Sequence, residues 1–156
     1  MSEITIKRVT EYTDELGHDL QRLMEILTPR AKGKTVDKKM MEDIIKSPFH
    51  DQYIAVDENG KVVGAITFSE VLGPFVGGGR TVFMEDFVVD PEAQGGGIGS
   101  KLFQTLIDWS RAHGAKKIEF TSRQLHEGSH DFYAKRGAKK RDSHIFRLPL
   151  DDSIVI

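Results

Sequence analysis

TVFMEDFVVDPEAQGGGIGSKLFQTLIDWS, residues 81–110, predicts a strand, a glycine-rich turn and a helix around which the rest of the chain is organised. Its first nine residues, 81–89, are rich in β-branched and aromatic side chains, which favour a half-buried strand. Pro91 ends this strand, because proline donates no ladder hydrogen bond and also restricts the residue before it. Apolar residues then recur at spacings of three and four, which predicts a helix over residues 98–110 with one buried face. These residues are Ile98, Leu102, Phe103, Leu106, Ile107 and Trp109.

A glycine-rich turn, residues 94–100 (QGGGIGS), joins this strand to the helix. Glycine has no Cβ, so the backbone can curl tightly and approach a ligand closely. Successive N–H groups then point into one concavity at the positive end of the helix dipole, which suits a phosphate or pyrophosphate. For the turn considered alone, the alternative is a tight connection that binds no ligand.

Two common nucleotide-binding motifs do not match this turn. A P-loop ends in Gly-Lys-Ser/Thr, whereas Gly99 is followed here by Ser100 and Lys101. A dinucleotide fingerprint has the form G-x-G-x-x-G, and in the frame that starts at Gly95 the last glycine is replaced by Ser100. Neither a nucleoside triphosphate nor a dinucleotide is therefore the expected ligand.

The pattern Gln94-x-x-Gly97-x-Gly99 resembles the acyl-CoA pyrophosphate loop of the GNAT N-acetyltransferase superfamily. A second match lies in the C-terminal half, where residues 132–137 (FYAKRG) resemble the F-Y-x-x-x-G signature of that family. The family normally continues with Phe, and Ala138 takes that place here. With both motifs in the family's order and separation, the chain is identified as a member of the superfamily over nearly its whole length.

The rest of the pattern predicts an α/β fold with a mixed sheet, in the element order of the GNAT family. Thr13 or Asp14 is expected to cap the first helix, and Asn59-Gly60 to turn a hairpin. Strands are predicted at residues 4–9, 52–57, 61–72, 81–89, 116–121 and 144–150, and the other helices at 10–33, 37–46 and 129–136. The resemblance implies about six to seven strands and four helices, with splayed central strands. Without repeats or linkers, residues 1–156 are predicted to form a single domain.

The resemblance implies how acetyl-CoA is bound. The backbone of Phe87, Val88 and Val89 would pair with the pantetheine arm as with an extra strand, and the turn would bind the pyrophosphate. The cofactor-binding residues expected in the turn are Gln94, Gly95, Gly96, Gly97, Ile98, Gly99 and Ser100. His126 stands where many relatives carry an Asn that contacts the cofactor, seven residues before Tyr133; a structural or solvent-exposed histidine is the alternative. Tyr133 is expected to border the same cofactor.

The reaction that the resemblance implies is attack of a primary amine on the acetyl thioester. An alkylamine with a pKa near ~10 has to lose a proton before it becomes a nucleophile, and the departing thiolate has to be stabilised or protonated. Tyr133 is predicted to act on the thiolate, with a core aromatic role as the alternative. Glu85 is predicted as the base, Asp86 comes second, and an ordered water is the third option. Strict alternation puts Glu85 on the same face as Phe87 and Val89.

Composition narrows the remaining functions. A chain of 156 residues with 38% hydrophobic and 29% charged residues is typical of an ordinary folded protein. The net charge of −2 gives no reason to expect nucleic acid or an anionic membrane as a partner. There is no cysteine, and the six histidines show no metal-ligand spacing, so no metal is expected. No apolar run has the length of a membrane span, which makes a cytoplasmic protein the expectation.

Three functions stay open at this level. The motifs favour acetyl transfer to a small-molecule amine such as an amino sugar, a polyamine or an amino-acid-like compound. A non-catalytic acyl-CoA sensor and a protein or peptide N-acetyltransferase are the alternatives. The acceptor and the length of the acyl group are not specified by the residues. The resemblance also leaves the oligomeric state open, with a homodimer built through the last strands as one arrangement found among relatives.

Overall fold

The computed structural model describes residues 3–74, 79–123 and 127–150, with the side chain of Glu127 excepted. The chain divides into two compact units, Met1–Thr121 and Ser122–Ile156. The strands of the first unit are β1 (Thr5–Arg8), β2 (His50–Val56), β3 (Val62–Gly73), β4 (Gly79–Val89) and β5 (Lys117–Phe120). Its helices are α1 (Asp14–Leu27), α2 (Lys38–Lys46) and α3 (Ile98–Ala112), with short 3-10 turns at Pro29–Ala31 and Pro91–Ala93.

The five strands form one sheet in the order β1-β2-β3-β4-β5. The first four are antiparallel to their neighbours, and β5 runs parallel to β4. The predicted mixed sheet in an α/β fold is therefore confirmed. Within the described ranges the sheet has one or two strands fewer than the six to seven predicted.

Helices α1 and α2 cover one face of the sheet, and α3 covers the other. The buried residues of the α1/α2 face form one cluster, which contains Val9, Leu16, Leu20, Leu23, Met41, Ile54, Val56, Val62, Ala65 and Val88. On the α3 face Phe68 packs its ring against Trp109, with the ring centroids 4.9 Å apart. Gly64 lies so close to α3 that an added Cβ would come within 3.0 Å of a methyl carbon of Leu102. The core thus has two layers, one on each side of the sheet.

The helices of the first layer begin where their capping residues predict. The hydroxyl of Thr13 accepts a hydrogen bond from the N–H of Leu16 (3.2 Å), which confirms one of the two predicted caps of α1. Asp37 caps α2 in the same way. The first helix ends at Leu27 and not at residue 33, because Thr28 precedes a proline and adopts an extended conformation.

The predicted strand at residues 144–150 is not formed. This segment has no regular secondary structure, and its large apolar side chains are 71–92% exposed. These side chains are Ile145, Phe146, Leu148 and Leu150. The prediction was wrong because alternating hydrophobicity shows only which side chains could share a face. A strand also needs a neighbour that accepts and donates its ladder hydrogen bonds.

The second unit contains one helix, α4 (Glu127–Ala134), among its described residues. It lies two residues towards the N-terminus from the helix predicted at 129–136. Gly137, with φ of +85°, follows the helix and donates its N–H to the Ala134 carbonyl (3.0 Å). The N–H of Ala138 donates to the Tyr133 carbonyl (3.1 Å). Glycine therefore ends the helix in the left-handed conformation expected at this position.

Candidate functional site

The second half of β4 contains a β-bulge at Asp86. Ala65 of β3 lies opposite Val88 and Thr67 lies opposite Glu85, so one residue of β3 faces two residues of β4. Asp86 has φ of +49° and is the only non-glycine residue of the described ranges with a positive φ. A left-handed conformation costs about 1–2 kcal/mol for a residue with a Cβ, although Asp tolerates it better than most. The strand is thus strained at Asp86, the residue next to the predicted base Glu85.

The bulge changes which side chains share a face of β4. Glu85 and Val88 lie opposite two β3 residues that are two positions apart, so both belong to the same face. Val88 is part of the α1/α2-face cluster, which places Glu85 on that face as well. Phe87 instead packs against Phe103 of α3, with the ring centroids 6.1 Å apart. The prediction that Glu85 shares a face with Phe87 and Val89 was wrong, because simple alternation makes no allowance for an inserted residue.

Strand β5 covers only the first half of β4. The parallel ladder begins with Thr81 opposite Lys117 and ends with Met84 opposite Phe120. β4 runs on to Val89 and stays paired with β3 on its other side. Beyond Met84, β4 has no ladder partner in β5, because β5 ends at Phe120; the splaying of the central strands stays a prediction.

The glycine-rich turn follows this half of β4 after the short 3-10 turn Pro91–Ala93. Gly95 and Gly97 have φ of +90° and +75°, which glycine adopts without strain. A Cβ added at either position would meet no atom within 4 Å, and both residues are exposed. Backbone conformation and not internal packing therefore requires these glycines. The backbone of the turn is left accessible to a ligand.

Helix α3 begins at the end of the turn without a side-chain cap. Its N-cap residue is Gly97, and no acidic residue stands in its first turn. The first N–H groups of a helix have no intrahelical acceptor, and they carry the positive end of the dipole. The open backbone and the uncapped helix start together fit an anion such as the pyrophosphate of a CoA thioester.

Asp90 anchors the start of the turn and was not singled out from the sequence. Its N–H donates to the Val63 carbonyl (2.8 Å), and its carboxylate accepts from the N–H of Glu92 (3.0 Å). Arg22 of α1 donates to this carboxylate and to the Val62 carbonyl (2.7 Å). The Asp-Pro pair after a strand suggests a cap, but the partner lies 68 residues away in the sequence. Local pattern does not reveal such a contact.

The electrostatics of Asp90 follow from these contacts. Burial alone would raise the pKa of its carboxyl group. The hydrogen bonds from Glu92 and Arg22, with the charges of Arg22 and Lys61, outweigh burial and hold this pKa below its ordinary value. Asp90 is therefore ionised at neutral pH and fixes α1 to the strand end that leads into the turn.

The two adjacent carboxylates of β4 differ in their environment. Although Asp86 is exposed, nearby protein atoms partly desolvate its carboxylate, and this effect raises its pKa. The negative charge of Glu85 raises the same pKa further. Glu85 is also exposed, on the α1/α2 face. The pair therefore combines an accessible carboxylate with a neighbour that holds a proton more readily than an ordinary Asp.

Tyr133 lies on α4 in the second unit. Its ring stands edge-on to that of Phe132, with the centroids 5.4 Å apart, and it is partly buried. Burial raises the pKa of the Tyr133 phenol to about 12, so the hydroxyl carries its proton at neutral pH. A protonated phenol can donate a hydrogen bond to a developing anion.

The remaining predicted positions add little to this geometry. The side chain of Gln94 donates to the Val89 carbonyl (3.3 Å) and so bridges the 3-10 turn Pro91–Ala93 that precedes the glycine-rich turn. His126 lies outside the described residues, as do residues 75–78 of the loop before β4.

Among the residues that the structure describes, no three His, Asp or Glu side chains are grouped to hold a metal ion. None of the helices in these ranges is long and apolar enough to cross a membrane.

Known proteins resemble this chain in sequence and in fold. The glucosamine 6-phosphate N-acetyltransferase of Trypanosoma brucei brucei is 36% identical over 92 residues, which cover 58% of this chain and 59% of that protein. An aminoglycoside acetyltransferase, meta-AAC0020 from an uncultured soil metagenomic sample, superposes with a TM-score of 0.79 at 20% identity, covering 94% of this chain and 96% of that one. Glucosamine-6-phosphate N-acetyltransferase from Arabidopsis thaliana superposes with a TM-score of 0.77 at 20% identity, covering 94% and 99%.

The two structural likenesses, at these identities, establish the fold alone. A sequence model described as "Acetyltransferase (GNAT) family" matches residues 20–138. This match includes the bulged strand, the glycine-rich turn and the Phe-Tyr motif of α4. Because it spans well over half of the 156 residues, the protein belongs to the acetyltransferase (GNAT) family.

Proposed function

We propose that this protein transfers the acetyl group of acetyl-CoA to the primary amine of a small molecule, by direct attack in a ternary complex. The observation that carries the proposal is the course of β4, which runs past the end of the β5 ladder into an open turn and an uncapped helix start. An extended pantetheine arm fits beside such a strand edge, and a pyrophosphate fits the turn. Family membership supports the same reaction.

The residues of the turn would hold acetyl-CoA, which supplies the activated acetyl group. The backbone of Phe87, Val88 and Val89 would align the arm, and the turn from Gln94 to Ser100 would bind the pyrophosphate. Gln94 carries no charge, so phosphate binding depends mainly on backbone N–H groups and on the helix dipole. His126 remains a proposed cofactor contact by resemblance alone.

For the removal of the amine proton we propose Glu85 as the base. Its carboxylate is exposed on the α1/α2 face of the strand that would align the thioester. Asp86 next to it has a raised pKa, so it is the second candidate. The strained backbone at Asp86 supports a functional role for this stretch, since strain of this kind is concentrated at active sites.

For the departing thiolate we propose stabilisation by the Tyr133 hydroxyl. The raised pKa keeps this group protonated across the range in which an amine can react. A hydrogen bond to the sulfur anion lowers the energy of the transition state, in which negative charge develops there. No side chain has to be charged for this step.

As the acceptor we propose the amine of an amino sugar phosphate, with a free amino sugar as the nearest variant. The Trypanosoma relative supports this choice by its name, although the alignment covers only 59% of that protein. Three exposed cations in the connector between α1 and α2 would suit a phosphate group: Arg30, Lys32 and Lys34. A homodimer and a cytoplasmic location remain predictions from the sequence.

The test is a thiol-release assay with acetyl-CoA and four acceptors: glucosamine 6-phosphate, glucosamine, spermidine and lysine. We expect release above background with the phosphorylated sugar, and a loss of about 100-fold in kcat for Glu85→Gln, a typical effect for a general base. Asp86→Asn is the matched control, because Asn tolerates the same backbone conformation. A larger loss in Asp86→Asn than in Glu85→Gln would move the base to Asp86. Acetyl-CoA binding without turnover on any amine or peptide would favour the sensor.

A further inference from the structure

Two rows of side chains cross the α1/α2 face of the sheet side by side. The strand register places Ile54, Ala65 and Val88 opposite one another, and all three belong to the apolar cluster. One step along the strands, the register places three polar residues opposite one another in the same way. These are Gln52 of β2, Thr67 of β3 and Glu85 of β4, and we call them the polar row. The apolar core of this face therefore stops at a line of polar groups.

Two members of the polar row are buried, and the third is not. Gln52 is 6% exposed and Thr67 is 8% exposed, whereas Glu85 lies at the exposed end. The side-chain Nε2 of Gln52 donates to the hydroxyl oxygen of Thr67 at 2.9 Å. The polar row therefore runs from two buried side chains in the core to the exposed carboxylate of the proposed base.

One atom of the Gln52 amide has no partner. Its Oε1 is fully buried and accepts no hydrogen bond from the described residues. If the amide were turned over, the nitrogen would lack an acceptor instead, so one polar atom is unpaired in either orientation. A buried polar atom left in this state is costly, because it has given up its hydrogen bonds to water and gained none in the protein. Buried polar groups that serve packing alone are nearly always fully paired.

We propose that Gln52 is a positioning residue, which together with Thr67 holds an ordered water beside Glu85 to relay the proton of the acceptor amine. The proposal rests on the proposed function and adds two residues to its site. The ammonium nitrogen gives a proton to the water, the water passes a proton to the Glu85 carboxylate, and the lone pair left on nitrogen attacks the thioester carbonyl. The water is regenerated, and the proton ends on Glu85.

The three side chains of the polar row offer the kinds of polar group that such a relay needs. A water requires two to four polar partners, and the free amide atom, the Thr67 hydroxyl and the Glu85 carboxylate provide three of the right kinds. Neighbouring strands lie about 4.8 Å apart, so one water can bridge side chains that do not reach each other across the row. Gln52 itself is too buried to contact the acceptor amine directly.

The experiment compares Thr67→Val, which removes the hydroxyl at nearly constant shape, with Thr67→Ser, which keeps it. Gln52→Met removes the amide at similar length. We expect Thr67→Val and Gln52→Met to lower kcat about 10-fold, the effect of one lost hydrogen bond near its upper range. KM for acetyl-CoA should stay unchanged, and Thr67→Ser should retain most of the activity. The double variant should lose no more than either single one, because both remove the same water.

Thr105→Val serves as the control for hydroxyl removal, since the Thr105 hydroxyl donates to the Lys101 carbonyl within α3. Its kcat should equal that of the wild type. Folded Thr67→Val with wild-type kcat would overturn the proposal, and so would losses that add in the double variant. If Gln52→Met does not fold, the Val and Ser variants at position 67 decide alone. A wild type that binds acetyl-CoA yet acetylates no acceptor would instead refute the proposed function.

Discussion

At the scale of single residues, the pKa of Tyr133 distinguishes between two ways of assisting a thiolate. The phenol has a pKa of about 12, whereas an ordinary thiol has one near ~8.5. Full transfer of the proton to the sulfur would therefore be uphill by roughly 3–4 pKa units, or about 5 kcal/mol. A hydrogen bond that stabilises the thiolate avoids this cost. Burial thus makes the Tyr133 hydroxyl better suited to donate a hydrogen bond to a thiolate than to transfer its proton to it.

We therefore expect Tyr133→Phe to lower kcat by about 10–100-fold and to leave the dissociation constant of acetyl-CoA nearly unchanged. Steady-state kinetics and calorimetric titration measure the two quantities. Tyr53→Phe is the matched control, because burial also raises the pKa of Tyr53, whose ring stacks on Phe68 in the core. An equal loss of kcat in both variants would mean that a general effect on packing, and not the Tyr133 hydroxyl, is responsible.

A second prediction for a single residue concerns the contribution of Asp90 to stability. Asp90→Asn removes the charge that Arg22 pairs with, and we expect it to reduce the free energy of unfolding at pH 7 by about 1–3 kcal/mol. Because the folded pKa of Asp90 is lowered, its contribution is complete above the unfolded value of about 3.9 and disappears as pH falls through the folded value. The difference between variant and wild type should therefore shrink below pH 4. Urea unfolding at pH 7 and pH 3 measures it, and a constant difference would contradict the assignment.

At the scale of elements, the parts that could be predicted are those determined by neighbouring residues. The turn and α3 follow from Pro91, three consecutive glycines and an apolar repeat, all within one short stretch. The cap of α1 by Thr13 is equally local. The bulge at Asp86 depends on the register with β3, which local pattern does not contain. The strand predicted at residues 144–150 failed for the same reason, since its partner would be distant in the sequence.

For the glycine-rich turn we predict how one substitution changes both stability and acetyl-CoA binding. Gly97→Ala puts a Cβ at φ of +75°, and we expect it to destabilise the fold by about 1–2 kcal/mol and to weaken acetyl-CoA binding at least 10-fold. Gly60→Ala is the control, because Gly60 has a similar φ of +84° in the β2–β3 turn, with no atom within 4 Å of an added Cβ. It should cost similar stability and leave binding intact. Parallel calorimetric titrations decide, and equal binding by both variants would remove the turn from the site.

At the scale of the molecule, the two edges of β4 differ in how far they are paired with neighbouring strands. β3 pairs with one edge of β4 along its length, whereas the ladder between β4 and β5 on the other edge ends at Met84. The pairing with β3 thus fixes the strand that contains the strained residue Asp86, and beyond Met84 this strand has no ladder with β5. A ligand that binds there contacts β4 and the start of α3 together. Binding should therefore stabilise the whole first unit, and not one loop alone.

This coupling gives a prediction for the intact protein. Acetyl-CoA at 100 times its dissociation constant should add about 2.7 kcal/mol to the free energy of unfolding, and so raise Tm by roughly 5–10 °C for a chain of this size. Free CoA should act similarly, because it retains the pyrophosphate and the pantetheine arm. ATP at the same concentration should have little effect, since the turn lacks the P-loop lysine. Thermal unfolding with the three ligands measures this, and Gly97→Ala, with binding weakened at least 10-fold, should lose about half of the shift or more. A shift with ATP as large as that with CoA would show that the turn binds phosphate without selecting the pantetheine arm.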